Sequence, residues 1–199
     1  AGSGIDVATA ITGGTVAIEF GRGPAIEPGV PQARPVAWPR HLSMLAAWTG
    51  QSASTPNMLG RLRAFRQRDP VRFKGHMERL GANAGQAVAA WQAGDTGKIL
   101  GAIANYEGGL RRLDEAAGIG IFSPAHERLR AMAVARGAVY KPSGAGGGDF
   151  GIVLTDSRQV EQALRADFAA AGVDLLAADL CAPGLAVHGE APRGGLRHA

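Results

Sequence analysis

The feature that most constrains this chain is a run of five small residues, Gly144, Ala145, Gly146, Gly147 and Gly148, between two β-type segments. Such a run cannot fill a hydrophobic core, and glycine allows backbone conformations with positive φ. Successive N–H groups without neighbouring side chains can form a concave nest that binds an anion, typically phosphate. A hairpin turn needs only one or two glycines. The run therefore predicts a strand–loop–strand unit whose loop binds phosphate, with Lys141 adding positive charge.

Two better-known nucleotide motifs do not explain this glycine run. Residues 146–151 match the pattern G-x-G-x-x-G, but a dinucleotide site needs a helix to begin there. The strand-like residues 152–154 follow instead, which argues against a Rossmann fold. Gly97-Lys98 is not a Walker A motif, because it lacks the glycine five residues earlier and is followed by Ile99.

Composition and charge exclude several classes of protein. Hydrophobic residues make up 46% of the 199 residues, which is typical of a globular chain. The net charge is only +4, and the densest basic cluster, residues 61–68, has the spacing of one exposed helix face. We therefore expect no nucleic-acid partner. No apolar run approaches the roughly 20 residues of a membrane span, so no membrane partner is expected.

Cysteine and histidine usage predicts neither a disulfide nor a metal site. Cys181 is the only cysteine, which rules out an intrachain disulfide and suits a cytoplasmic protein. The five histidines show no ligand spacing, so we predict no zinc site. The pattern leaves the oligomeric state open.

Hydrophobic periodicity and turn signals predict an α+β chain. The predicted helices cover residues 5–11, 55–68, 70–93, 96–117, 124–136 and 158–171. The predicted strands cover residues 15–20, 42–48, 137–141, 150–155 and 173–179. The four prolines and three glycines in residues 21–35 predict a loop or domain connection. Runs of helices separate the strands, which favours α+β over a doubly wound sheet.

Two other segments have both a structural and a functional interpretation. Near the start, Ser3 or Asp6 could cap a helix, or Asp6 could hold a carboxylate near a substrate oxygen. Between the second strand and the next helix, Thr55 is expected to be the helix N-cap. Ser52, Ser54 and Thr55 could also offer a helix N-terminus to an anionic group.

Taken together, the three segments resemble the C-terminal portion of GHMP-superfamily kinases, and within that superfamily the bacterial phosphomevalonate kinase family. The motifs are Gly-Ser-Gly-Ile-Asp at 2–6, Trp-Thr-Gly-Gln-Ser-Ala-Ser-Thr at 48–55 and Lys-Pro-Ser-Gly-Ala-Gly-Gly-Gly-Asp at 141–149. The last motif is the most specific, and the helical middle is generic. Phe150 stands where relatives commonly have Cys.

This resemblance implies a kinase that transfers the γ-phosphoryl group of ATP to 5-phosphomevalonate in isoprenoid synthesis. Asp6 matches the family's active-site Asp, and it would orient groups because the acceptor phosphate is already largely ionised. The residues expected to bind phosphate or substrate are Ser3, Ser52, Ser54, Thr55, Lys141, Ser143, Gly144, Ala145, Gly146, Gly147 and Gly148. None is expected to bind metal.

The resemblance also implies that part of the kinase machinery is missing from these 199 residues. Relatives carry a second Gly/Ser-rich loop that wraps the ATP phosphates, and no such motif occurs here. ATP and Mg²⁺ would therefore be bound mainly by an upstream half, and the chain alone is expected to be inactive. Residues 1–34 would be the end of the N-terminal kinase domain, 35–184 a ferredoxin-like C-terminal domain, and 185–199 a tail.

Two alternatives remain open from the sequence. The first is a sibling enzyme, such as mevalonate kinase or another GHMP small-molecule kinase, in which Asp6 would be a true base acting on an alcohol. The second is a non-catalytic module that binds an anion through the glycine run.

Overall fold

The computed structural model describes residues 4–20 and 31–186, which fall into two compact units. The first unit is drawn from Ala1–Val36 and Asp179–Ala199, and the second is Ala37–Ala178. Both contain antiparallel strands together with helix, so the predicted α+β class is confirmed. The domain boundaries proposed from the sequence stay predictions.

The first unit contains helix α1 (Ile5–Thr12) and strands β1 (Thr15–Phe20) and β2 (Pro31–Val36). The two strands pair antiparallel, with Thr15 opposite Val36 and Phe20 opposite Pro31. The predicted loop over residues 21–35 is therefore wrong for 31–35, while 21–30 lie outside the described residues. Prolines fit β2 because a strand with one neighbour need not donate hydrogen bonds on its other side.

Residues 179–186 complete the described part of the first unit. The N–H group of Gly14 donates to the carbonyl of Ala182 at 2.8 Å, and that of Leu185 donates to Ala10 at 3.1 Å. Gly13, with φ of 77°, ends α1 as its sequence predicts. The strand predicted over 173–179 is shorter in the structure, where β6 covers only Leu175–Leu176 in the second unit.

The second unit begins with strand β3 (Ser43–Trp48) and continues through four helices. These are α2 (Thr55–Arg68), α3 (Pro70–Gln92), α4 (Thr96–Ala117) and α5 (Pro124–Ala135). Strands β4 (Val139–Pro142) and β5 (Phe150–Thr155), helix α6 (Arg158–Ala170) and β6 follow. The strands form one antiparallel sheet in the order β4-β5-β3-β6. With the four helices counted as one crossover, this is the β-α-β-β-α-β order of the predicted ferredoxin-like fold.

Alternating side chains of the sheet build a core on each of its faces. On one face Leu45 and Val153 pack with Leu129 of α5 and Phe168 of α6. On the other face, Leu154 packs in a cluster with residues of α3 and α4. Burying each such aliphatic or aromatic side chain contributes about 1.5–3 kcal/mol. The two-residue period of the strands therefore decides which of their side chains enter each core.

Side-chain caps set the starts of four helices, and the carboxylate of Asp69 caps α3 by accepting from the N–H group of Arg72 at 3.0 Å. The carboxylate of Asp95 accepts from the N–H group of Lys98 at 3.0 Å, and the hydroxyls of Ser123 and Ser157 cap α5 and α6 in the same way. The cap predicted at Thr55 is wrong. Ser54 is the N-cap of α2, and its hydroxyl accepts no capping hydrogen bond.

The basic cluster at residues 61–68 has a structural explanation. The guanidinium of Arg61 donates to the carbonyl of Ile119 at 3.1 Å, and that of Arg68 donates to Ala116 at 3.2 Å. Both carbonyls lie at or just beyond the C-terminal end of α4, where carbonyl groups lack helical partners and attract cations. At least these two arginines therefore hold the end of α4.

Candidate functional site

The candidate site is centred on the glycine loop, residues 143–149, which joins the antiparallel neighbours β4 and β5. The N–H group of Ser143 donates to the carbonyl of Phe150 at 2.8 Å and closes the loop at its base. Gly144, Gly146 and Gly147 all have φ between 61° and 79°. Asp149, with φ of 56°, is the one non-glycine residue with positive φ in the described part of the chain. The loop thus depends on conformations that few side chains allow.

Close packing requires glycine at two positions of the loop, and at Gly146 the positive φ requires it as well. A Cβ atom on Gly146 would lie 2.7 Å from the carbonyl oxygen of Ile121. A Cβ atom on Gly148 would lie 2.7 Å from the carbonyl oxygen of Gln51. Backbone oxygens of well-packed segments cannot move away easily. Even alanine would therefore displace the loop at these positions.

Two neighbouring segments hold the glycine loop through hydrogen bonds. The N–H group of Gly147 donates to the carbonyl of Ile121 at 2.7 Å, and that of Asp149 donates to the carbonyl of Gln51 at 2.8 Å. The side-chain amide of Gln51 in turn donates to the carbonyl of Gly147 at 3.1 Å. Bonds on both sides make this an ordered loop and not a flexible turn.

The exposed tip of the loop keeps free donors. Within residues 4–20 and 31–186, the N–H groups of Gly144 and Ala145 donate no hydrogen bond. Both residues are exposed. Adjacent backbone N–H groups without partners are the donors that an anion requires. The predicted nest is thus narrower than the whole glycine run, since Gly146 and Gly147 use their N–H groups inside the protein.

Lys141 lies on β4 just before the loop and is half-buried. Its ammonium donates to the carbonyl of Pro142 at 2.6 Å and lies 5.9 Å from the centre of the Tyr106 ring. Burial lowers the pKa of the Lys141 ammonium below its ordinary value. No carboxylate lies within 4.0 Å of it among the described residues. The side chain therefore brings an unneutralised positive charge to the start of the loop.

The segment 49–55 lies directly beside the loop. The N–H group of Thr49 donates to the carbonyl of Asp149 at 2.9 Å, and that of Ala53 donates to the Asp149 carboxylate at 3.4 Å. Ser52, Ser54 and Thr55 are exposed at the start of α2. The structure thus brings this segment together with the loop, although nearly a hundred residues separate them in the sequence.

The remaining sequence-predicted residues are outside the second unit. Asp6 is exposed on the first turn of α1 in the first unit, where its negative charge suits the helix N-terminus. It forms no side-chain cap, since Gly4 is the N-cap and no such bond is present. Ser3 lies outside the described residues.

Sequence reasoning missed several residues that support the loop. Ile121 acts through its backbone carbonyl, which no side-chain pattern reveals, and Gln51 acts through both its backbone carbonyl and its side-chain amide. The carboxylate of Asp114 accepts from the N–H groups of Gly120 at 2.6 Å and Phe122 at 3.0 Å, and so orders the segment that carries Ile121. The spacing of an aspartate before a glycine-containing turn is a signal that could have indicated this contact.

The described residues contain neither a metal-ligand cluster nor a membrane-spanning helix. Across residues 4–20 and 31–186, no three His, Cys, Asp or Glu side chains are grouped so that they could hold a metal ion. Among the helices in those same ranges, none combines the length and apolar character needed to cross a membrane.

Comparison with known proteins gives the class of this chain. No family model matches it. Its structure is similar to that of L. major mevalonate kinase in complex with R-mevalonate, with a TM-score of 0.71 and 23% identity over 85% of this chain and 49% of that one. It is also similar to Streptococcus pneumoniae phosphomevalonate kinase in complex with phosphomevalonate and AMPPNP, with a TM-score of 0.64 and 24% identity over 77% of this chain and 43% of that one. The chain therefore has the fold of the GHMP-superfamily kinases.

The sequence gives a more specific relationship. The chain is 34% identical over 171 residues to the phosphomevalonate kinase of Streptomyces sp. (strain CL190), covering 78% of this chain and 46% of that protein. It is a homologue of bacterial phosphomevalonate kinase, so the resemblance predicted from the three motifs is confirmed. The chain spans about half the length of the relatives it matches, which is consistent with their C-terminal portion.

Proposed function

We propose that this chain forms the acceptor-binding part of a kinase that phosphorylates 5-phosphomevalonate at the expense of ATP, giving 5-diphosphomevalonate and ADP. The observation that carries the proposal is the glycine loop, packed on both sides and presenting the free N–H groups of Gly144 and Ala145 close in sequence to Lys141. The relationship to a bacterial phosphomevalonate kinase supports this substrate over other phosphorylated acceptors.

The chemistry of the acceptor fits the groups that the loop offers. A phosphate monoester carries a charge of about −1.5 to −2 near neutral pH, because its second pKa is about 6. Backbone N–H donors and a lysine ammonium both favour that anion. Under the proposal, Ser143, Ser52, Ser54 and Thr55 add hydroxyl donors, and Gly146, Gly147 and Gly148 give the loop its shape.

The reaction itself needs positioning more than base catalysis. An oxygen of the acceptor phosphate forms a bond to the γ-phosphorus of ATP, and the bond from that phosphorus to the β–γ bridging oxygen breaks, releasing ADP. The attacking oxygen is largely ionised already, so no strong base is required. Asp6 is assigned an orienting role, on the basis of the sequence resemblance.

ATP and Mg²⁺ are assigned mainly to residues beyond this chain. The described residues contain no cluster of carboxylates that fits Mg²⁺. What this part of the enzyme contributes is binding and orientation of the acceptor and compensation of its negative charge.

The test is an ADP-release assay on the full-length gene product with 5-phosphomevalonate, with mevalonate and without acceptor. We expect turnover with 5-phosphomevalonate alone. Turnover with mevalonate alone would move the protein to the sibling kinase and make Asp6 a general base. If the folded protein turns over none of the acceptors, the assignment as an enzyme is overturned. The non-catalytic module that binds an anion is then the remaining interpretation.

Variants make the assay specific to the loop. Gly146→Ala should abolish or severely reduce turnover, because its Cβ atom would collide with Ile121. The matched control is Gly60→Ala in α2, where an added Cβ atom meets nothing within 4 Å. Asp6→Asn should lower turnover without abolishing it if Asp6 only orients groups. Equal activity in Gly146→Ala and Gly60→Ala would contradict the role of the loop.

A further inference from the structure

A buried histidine contacts the glycine loop from the protein interior. His126, on the first turn of α5, is fully buried, with 0% of its surface exposed. Its Nε2 atom lies 3.0 Å from the carbonyl oxygen of Gly148, and its Nδ1 atom lies 2.5 Å from the hydroxyl oxygen of Tyr140. The ring therefore connects helix α5, strand β4 and the loop.

The two contacts determine where the proton of the imidazole lies. A carbonyl oxygen can only accept, so the Nε2 atom must carry hydrogen and donate to Gly148. In the neutral ring the Nδ1 atom is then an acceptor, and the Tyr140 hydroxyl donates to it. The result is a directed chain of hydrogen bonds from Tyr140 through His126 to Gly148.

The environment keeps the His126 ring neutral. Burial lowers the pKa of His126 below its ordinary value. The charged groups around it act in both directions: Asp149 and Glu127 favour the imidazolium, and Lys141 opposes it. Burial has a larger effect on the pKa of His126 than the two carboxylates have. The ring therefore stays neutral near neutral pH, and the hydrogen bonds from Tyr140 through His126 to Gly148 keep their direction.

Both ends of this chain of hydrogen bonds are held in place. The Tyr140 side chain, 2% exposed, occupies the space that a side chain at position 151 would need, so Gly151 allows the ring to lie against β5. On the loop, Gly148 is confined on its other side by the backbone of residues 51–53. His126 thus contacts a carbonyl that has little room to move.

We propose that His126 and Tyr140 are positioning residues that fix the carbonyl of Gly148. By fixing it, they hold the glycine loop in the conformation that presents the N–H groups of Gly144 and Ala145 to a phosphate. The effect of these residues on phosphate binding rests on the proposed function. Their effect on the position of the glycine loop does not depend on any substrate. Neither side chain touches the reacting atoms. Without them the loop would have to be ordered at the moment of binding, which lowers affinity.

The first test is nitrogen NMR of the His126 ring in the full-length gene product. We expect the neutral tautomer with hydrogen on Nε2, and formation of imidazolium only at a lower pH than in a free imidazole. The tautomer with hydrogen on Nδ1 would overturn the proposal, because that ring could not donate to Gly148.

The second test compares Tyr140→Phe with Tyr106→Phe, which removes the hydroxyl from the other tyrosine of the chain while keeping its ring near Lys141. We expect amide exchange at Gly147 and Asp149 to accelerate about 3- to 10-fold in Tyr140→Phe, the factor of one hydrogen bond. Exchange in the β3–β5 ladder should stay unchanged. Faster exchange throughout the ladder, or equal effects in both variants, would mean that the hydroxyl only stabilises the fold.

Kinetics then separates this inference from the proposed function. In an active enzyme, Tyr140→Phe should raise the KM for 5-phosphomevalonate about 3- to 10-fold, with a smaller change in kcat, and His126→Gln should have a larger effect. An unchanged KM would overturn the positioning role in binding. If the wild-type protein has no turnover, the proposed function fails, whereas the exchange and tautomer measurements still decide whether His126 holds the loop.

Discussion

Gly148 faces Gln51 so closely that a Cβ atom on Gly148 would lie 2.7 Å from the Gln51 carbonyl oxygen. The φ angle of Gly148 lies outside the positive-φ region, so the constraint here is space and not backbone conformation. We expect Gly148→Ala to lower the free energy of unfolding by about 1–3 kcal/mol, the usual cost of overpacking. Urea denaturation of the full-length gene product measures this, with Gly101→Ala, where the added atom meets nothing within 4 Å, as the control. Equal midpoints for the two variants would contradict the close packing.

Asp114 supports the loop indirectly through residues 118–122. Its carboxylate accepts from two backbone N–H groups, and Ile121 in the same segment accepts from Gly147. Asp114→Ala leaves both donors without their acceptor, so we expect a loss of about 1–3 kcal/mol in the free energy of unfolding. The control is Glu115→Ala, which removes the exposed neighbouring carboxylate. Amide exchange at Gly147 should accelerate in the first variant only, and no difference between the variants would exclude this support.

Ser54 and Ser157 occupy the same helical position but should respond differently to alanine. The Ser157 hydroxyl accepts from the N–H group of Val160 at 3.3 Å, whereas Ser54 makes no capping bond. Ser157→Ala should therefore cost about 1 kcal/mol, and Ser54→Ala close to nothing. Thermal and urea unfolding test the pair. A rise in the KM for 5-phosphomevalonate in Ser54→Ala, without loss of stability, would identify Ser54 as a substrate contact; a large loss of stability would show an undetected cap.

Buried histidines make the stability depend on pH in a defined direction. Burial lowers the pKa of His126, and burial, followed by the charge of Arg79, lowers the pKa of His76. In the unfolded chain these rings take up protons below about pH 6.5, while in the folded protein they stay neutral to lower pH. The unfolded state then binds more protons, so stability is full above about pH 6.5 and falls as the pH is lowered through the folded-state pKa values.

The measurement is urea unfolding at several values between about pH 5 and pH 7.5. His126→Gln should reduce the slope of stability against pH below about pH 6.5, although its overall stability will be lower. The matched variant His41→Gln replaces an exposed histidine, and the slope should persist in it. A slope unaffected by His126→Gln would show that folding does not lower the pKa of this ring.

Local patterns predicted the helices closely because the determinants of a helix lie within a few residues of it. The bounds of α4 and the end of α2 agree with the prediction, and the ends of α3 and α5 differ from it by one residue. Asp95 and Ser157 cap helices as their positions indicate. The start of α2 is the exception, since Thr55 was favoured by its residue type while the chain geometry makes Ser54 the cap.

Strand β2 was missed because its pairing is not local. Prolines at 31 and 35 are typical of a loop, and they are accepted here only because β1 supplies a partner on one side. Strand β6, in contrast, was predicted to be longer than it is. Its sequence indicated a strand over residues 173–179, but only Leu175 and Leu176 pair with β3.

The sequence by itself determined the α+β class, the helices, the family resemblance and the position of a glycine loop between two strands. These depend on periodicity, caps and residues that are close together in the chain. Only the tertiary structure decided which N–H groups of that loop are used inside the protein, because the carbonyls of Ile121 and Gln51 accept from the N–H groups of Gly147 and Asp149. It also brought His126 to Gly148 across 22 residues. Such contacts arise from how the sheet and helices pack, and no local pattern encodes them.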